Sequence, residues 1–120
     1  MKAKEDQQNQ NDGIKFPAGA VIFEEGTKGL EMYVIVEGEV EISLRGKTLA
    51  VASAGEIVGE MALLKNAARS ATVTAKTDCL LEAIDRERFE DLVRDSPSFA
   101  LYVMNVLADR IRLANESLAP

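Results

Sequence analysis

The sequence predicts a mainly β domain, an antiparallel sandwich or barrel completed by C-terminal helices, and three observations carry that expectation. Short apolar or alternating runs from Ile14 onward are separated by glycine-bearing turns at intervals of roughly eight to twelve residues, as in antiparallel β folds. Beyond Asp85 that rhythm gives way to helical spacing. The chain has 120 residues, enough for one core and short for two.

Met1 to Asp12 is rich in Gln, Asn, Lys and acidic groups with little to bury, so residues 1–13 are expected to form a flexible polar tail ahead of a domain over 14–120. Within that domain, 14–85 is expected to be the barrel and 86–120 the helices. The clearest strand is Val40 to Leu44, where Val40, Ile42 and Leu44 share a core face and Glu39, Glu41 and Ser43 a solvent face. Pro17-Ala18-Gly19, Gly26 with Gly29, Glu37-Gly38, Arg45-Gly46 and Ala54-Gly55 read as reversals between strands. A last strand is predicted over Leu80 to Ile84, with Asp85 as the N-cap of a short helix. Ser96-Pro97 then opens a longer helix to about Glu116, because proline is well suited to the first helical position. Phe99, Val103, Val106 and Leu113 form one apolar stripe on it, and Met104, Leu107, Ile111, Ala114 and Leu118 an adjacent one. The first stripe is expected to pack on the barrel, and the second to serve as a ligand lid or a dimer contact.

Composition removes several function classes. There is no histidine, hence neither a Ser-His triad nor the histidine-rich metal site of a cupin-type barrel enzyme. The single cysteine, Cys79, cannot form an internal disulfide and reads as a small buried filler. A net charge of −6 without a basic face argues against direct nucleic-acid binding. The longest apolar runs, such as Ala20 to Phe23, fall short of a membrane span, and the polar start lacks a signal peptide's apolar region, so a cytoplasmic protein without membrane contact is expected.

One segment, Gly59 to Thr72, is neither alternating nor a simple turn. Glu60 to Leu64 contains good helix formers, and Gly59 ahead of them leaves the first backbone N–H groups uncovered, an arrangement that suits an anion. Arg69, a few residues on, offers a planar fork of donors that matches two phosphate oxygens, and Ser70 adds a hydroxyl. Glu60 fits such a pocket only if the ligand also carries hydroxyls for a carboxylate to accept from, as a ribose does. With no second arginine and no metal-ligating cluster in the segment, the residues favour a nucleotide with a single phosphate.

The run G-E-M-A-L-L followed by R-S-A-T-V resembles the phosphate-binding cassette of the cyclic-nucleotide-binding domain family. The segments Pro17 to Phe23, Glu25-Gly26, Gly29, Met32 to Ile35 and Glu37 to Val40 are similar to its early strands and turns. The resemblance spans about residues 14 to 115. It implies a double-stranded β-helix, jelly-roll-like barrel with C-terminal helices, and a non-enzymatic sensor that binds cAMP in preference to cGMP and needs no metal. Carried over by position, it implies that Glu60 bonds the ribose 2′-hydroxyl, that Arg69 and Ser70 bond the cyclic phosphate, and that the backbone of Met61 and Ala62 bonds phosphate or sugar. Gly59 and Ala71 belong to the same ligand-binding cassette, and Arg110 is placed to cover the base. A homodimer through the last helix, or an effector protein, is the expected partner. Family regulators continue into a DNA-binding unit where Ser117 to Pro120 stands here, so a stand-alone sensor is expected. Readings as a fragment of a larger regulator or channel, or as a scaffold that no longer binds ligand, stand as alternatives. With only a polar tail ahead of the first strand, the C-terminal helices are expected to be the main moving part.

Overall fold

The computed structural model describes residues 13–118, with side chains to 112, so the tail expected over 1–13 and the face assigned to Leu113, Ala114 and Leu118 lie largely outside the described residues. Residues up to Arg86 form one compact unit and those from Glu87 a second.

The first unit holds eight strands: β1 (Ile14–Phe16), β2 (Val21–Phe23), β3 (Glu31–Glu37), β4 (Glu39–Leu44), β5 (Lys47–Ser53), β6 (Ile57–Val58), β7 (Thr72–Ala75) and β8 (Cys79–Asp85). A single helical turn and a half, α1 (Glu60–Lys65), lies between β6 and β7. The strands make two four-stranded sheets, ordered β1-β8-β3-β6 and β2-β7-β4-β5, with all neighbouring strands antiparallel. This is the mainly β, jelly-roll-like barrel that the turn spacing and the resemblance predict.

Alternation explains part of the filling, since Tyr33 and Ile35, Val73 and Ala75, and Cys79 and Leu81 share one core cluster, whereas Met32 and Ile84, paired across β3 and β8 at odd spacings from these, are buried on the other face of that sheet. Met32 and Ile35 on β3, Val40 on β4, Val73 on β7, and Leu81 and Ile84 on β8 are fully buried. In β4, burial fades toward the turn: Val40 is enclosed, whereas Ile42 and Leu44 are half-buried. The β4–β5 hairpin closes through Arg45 and Gly46, both at positive φ (53° and 81°), because a two-residue loop that matches strand twist needs two such residues. Cys79 is buried, with Sγ bonded to the Glu39 and Thr77 carbonyls, in keeping with a structural filler. The last strand runs one residue further at each end than predicted.

The second unit contains the body of α2 (Arg86–Asp95) and α3 (Pro97–Leu118), the latter two residues longer than expected. Phe89 meets Phe99 edge-on at 5.7 Å, joining the two helices. The Ser96 hydroxyl lies 3.2 Å from Ser98 Oγ, while its carbonyl accepts from the Phe99 N–H. Val103 is buried, and Phe99 and Val106 are half-buried. On the second stripe Met104 and Ile111 are exposed, at 56% and 62%, and Leu107 between them is half-buried, while Leu101, three residues before Met104, adds exposed apolar surface at 59%.

Candidate functional site

The site is assembled from two segments that are far apart in the chain. Its first half is the loop leaving β2. The Arg69 N–H donates to the Thr27 carbonyl and the Gly26 N–H to the Arg69 carbonyl, each at 2.8 Å, and Lys28 and Ala68 form an isolated antiparallel bridge. One step further, the Glu25 N–H donates to Thr72 Oγ1 at 3.0 Å. The backbone of Arg69 is therefore held between residues 25 and 28 before its side chain is considered.

The second half is α1. Gly59 sits at its N-cap with φ 82°, a left-handed conformation that a side chain would strain, and no side chain caps the helix. The first backbone N–H groups of the turn, those of Met61 and Ala62 among them, thus have no intrahelical acceptor. Asn66, also left-handed at φ 52°, ends α1 with its own N–H on the Ala62 carbonyl. The helix therefore stops in time for the chain to return to Ala68 and Arg69.

Between these halves lies the Arg69 guanidinium. The residue is 6% exposed, its Nη1 donates to the Gly59 carbonyl at 3.2 Å, and its Cζ stands 4.0 Å from the centroid of the Phe23 ring. Its Nε is buried and makes no hydrogen bond, and no carboxylate among the described residues lies within ion-pair distance. Burial pulls the guanidinium below its ordinary pKa, with the Tyr33 and Glu31 charges pushing the other way. A buried cation with unused donors is expensive to maintain unless something anionic meets it.

Glu60, adjacent to the guanidinium's acceptor Gly59, is 2% exposed, an unusual position for a carboxylate on the first turn of a short helix. Ala62 is buried, Met61 is exposed, and Ser70 and Ala71 follow Arg69 on the open side as exposed and half-buried residues. Gly59, Glu60, Ala62 and Arg69 are thus brought together in one cradle. Arg110 lies half-buried on α3 in the helical unit.

Three participants were not singled out in the sequence. Phe23 supplies the ring over Arg69. Gly29, grouped above with the turn glycines, is buried and is not in the left-handed region; a Cβ on it would stand 2.5 Å from Ala62 Cβ and 2.7 Å from Arg69 Nε. Its requirement is close approach, not chain reversal. Tyr33 stacks on Phe23 at 6.1 Å and donates to Glu31 Oε1 at 3.1 Å; burial foremost, then Glu31, push its hydroxyl up to about 12. The only legible hint was the density of aromatic and glycine residues between Phe23 and Tyr33.

The described residues hold no group of acidic, histidine or cysteine side chains arranged for a metal, and no helix among them is long and apolar enough to cross a membrane.

Comparison with known proteins agrees with this architecture. The chain is 42% identical over 80 residues to a cGMP-dependent protein kinase of Drosophila melanogaster, covering 67% of this chain and 7% of the kinase. It is 37% identical over 108 residues to the cyclic AMP receptor protein of Thermus thermophilus, covering 86% of this chain and 50% of that protein. The crystal structure of the Thermus thermophilus catabolite activator protein superposes with a TM-score of 0.79 at 32% identity, over 98% of this chain and 59% of that one. The chain thus spans half or less of the length of these two curated relatives. The family model described as the cyclic nucleotide-binding domain matches residues 14–96, which contain both sheets and the whole Arg69 cradle, and the chain belongs to that family.

Proposed function

We propose that this chain binds a cyclic mononucleotide, cAMP before cGMP, in the cradle between α1 and residues 23–29, and that it works as a regulatory module without chemistry of its own. The observation that carries the reading is Arg69: a buried guanidinium with an unused Nε–H and, among the described residues, no carboxylate within ion-pair distance, which suits a phosphate site. Arg69 and the Ser70 hydroxyl take the phosphate with the N–H groups of Met61 and Ala62, Glu60 takes the ribose 2′-hydroxyl, and Gly59 and Ala71 shape the approach. Arg110, from the helical unit, covers the base. In support of cAMP, the relative that shares the longer stretch of this chain is named for cyclic AMP, while the kinase, which is more identical over a shorter stretch, is named for cGMP. Ligand shifts the helices only through its differential affinity for two arrangements, so the base contact made by α3 is what turns binding into a signal.

Leu101, Met104 and Ile111, exposed on α3 at spacings of three and seven, favour a second copy of the chain as partner, since a and d positions of a two-helix coiled coil recur at these spacings. An effector protein on the same face is the alternative.

A thermal-shift and calorimetric panel of cAMP, cGMP, cyclic dinucleotides and AMP tests the reading. Both cyclic mononucleotides are expected to raise the melting temperature, cAMP more, with AMP and the dinucleotides inert. No shift with either cyclic mononucleotide refutes it.

A further inference from the structure

We propose that Phe23 and Gly29 are positioning residues for Arg69, fixing which edge of its guanidinium faces the ligand; the inference deepens the proposed reading and rests on it for its ligand. Paired N–H···O bonds from an arginine to a phosphate demand a defined plane and a defined edge, so an arginine free to rotate about its last torsions loses much of its advantage over a lysine. In this cradle three groups remove that freedom. The Phe23 ring covers the guanidinium, with Cζ at 4.0 Å from its centroid. The Gly59 carbonyl holds Nη1 at 3.2 Å. Gly29 presses a bare Cα against the other end of the group, where a Cβ would stand 2.7 Å from Nε and 2.8 Å from Cζ.

These contacts are themselves anchored. Phe23 stacks on Tyr33, and Tyr33 is tied through its hydroxyl to Glu31. Gly29 follows Lys28, whose bridge to Ala68 sets the spacing between the two backbones. Any side chain at position 29 must push either Arg69 or Ala62 away, because a Cβ there is also 2.5 Å from Ala62 Cβ. Position 29 therefore acts on the anion site through Arg69 and on the first turn of α1 at once.

The test uses the whole chain, first without ligand. In a 15N-labelled sample the Arg69 Nε–Hε signal, identified by its disappearance in Arg69→Lys, is expected to be displaced by the Phe23 ring current and to exchange with water at least about tenfold more slowly than exposed arginines. Phe23→Leu is expected to return it to the exposed-arginine position and Phe23→Tyr to leave it displaced. Calorimetry with cAMP and cGMP is then expected to show a loss of about 3- to 30-fold for Phe23→Leu, the range of a cation–π contact from exposed to desolvated settings. Phe23→Tyr is expected to stay within about twofold of the parent, because its ring retains that contact. Gly29→Ala is expected to lose about tenfold or more, and in an Arg69→Ala background Phe23→Leu and Gly29→Ala are expected to add nothing, as coupled sites behave. Equal losses with and without Arg69 show that both residues merely support the fold and overturn the proposal. So does an undisplaced, fast-exchanging Arg69 signal in the parent protein, whichever nucleotide binds. If neither nucleotide binds the parent, the proposed function fails while the ligand-free spectra still decide the positioning of Arg69.

Discussion

Replacing Arg69 by methionine separates what the residue does for the ligand from what it does for the fold. In the ligand-free protein the substitution removes one hydrogen bond from a charged donor to the Gly59 carbonyl, worth about 1.5–3 kcal/mol. It also removes the contact with Phe23, worth about 0.5–2 kcal/mol. Against this it relieves a buried Nε–H without an acceptor, about 1–3 kcal/mol, together with the desolvation that already depresses the guanidinium. Methionine fills much of the volume under Phe23 and Ala62, so no large cavity opens. The opposing effects cancel to within about 2 kcal/mol, and urea unfolding of the ligand-free variant is expected to agree with the parent to that margin. The bound state is different. A buried phosphate left without its cation loses about 2–5 kcal/mol, or about 30-fold to several thousand-fold in affinity, read by calorimetric titration with cAMP and cGMP. Unchanged affinity would refute the assignment of Arg69 to the phosphate. A ligand-free loss above about 4 kcal/mol would show instead that the arginine is a structural member of the barrel.

Four further expectations follow from the same contacts. Glu60→Gln is expected to weaken cAMP by about 10- to 150-fold, the range for a hydrogen bond to a charged group, yet to change 2′-deoxy-cAMP affinity less than twofold; equal losses for both ligands would remove Glu60 from the sugar. Tyr33 has its hydroxyl raised from 10.0 to about 12 by burial first and then Glu31, so its neutral form is favoured in the folded state. The stability this confers is complete below pH 10 and is lost as pH rises toward 12; parent stability relative to Tyr33→Phe is expected to fall across that window, and a flat difference would contradict it. Ile111→Glu lies on exposed surface, so it is expected to change unfolding free energy by about 0.5 kcal/mol or less while converting a sedimenting dimer to monomer; a parent that is monomeric at all concentrations excludes the dimer. Arg45→Asn is expected to stabilise by several tenths of a kcal/mol, roughly, because asparagine tolerates the positive φ of this hairpin turn better than arginine; an unchanged denaturation midpoint would count against that turn geometry.

Legibility in the sequence followed the range of the interactions. The strands were readable because alternation and turn glycines act over a few residues, and the boundaries of β8 and α3 moved by only one or two positions. Glu60 and Arg69 were legible through their combination with Gly59 and Ser70 at the spacing of the phosphate-binding cassette, and the structure adds that both are buried. Phe23 and Gly29 carried no comparable signal. A phenylalanine in a strand and a glycine in a loop are ordinary residues, and their roles arise only from meeting Arg69 across the barrel. On α3 apolar residues occupy several sides of the helix, so periodicity alone did not separate half-buried Leu107 from exposed Leu101.

The stitching of residues 25–28 to 68–72 has a consequence for how the protein acquires its activity. Glu25 and Thr72 are 47 positions apart, and neither segment holds Arg69 in place without the other. A nascent chain has no anion site until synthesis has passed Thr72 and the intervening strands have closed that long loop, one of the slower kinds of event in folding. Nucleotide present during synthesis therefore has nothing to grip until assembly is nearly finished. Under the proposed function it acts afterwards, by slowing the unfolding of the finished barrel, with little influence on the speed at which the chain first folds.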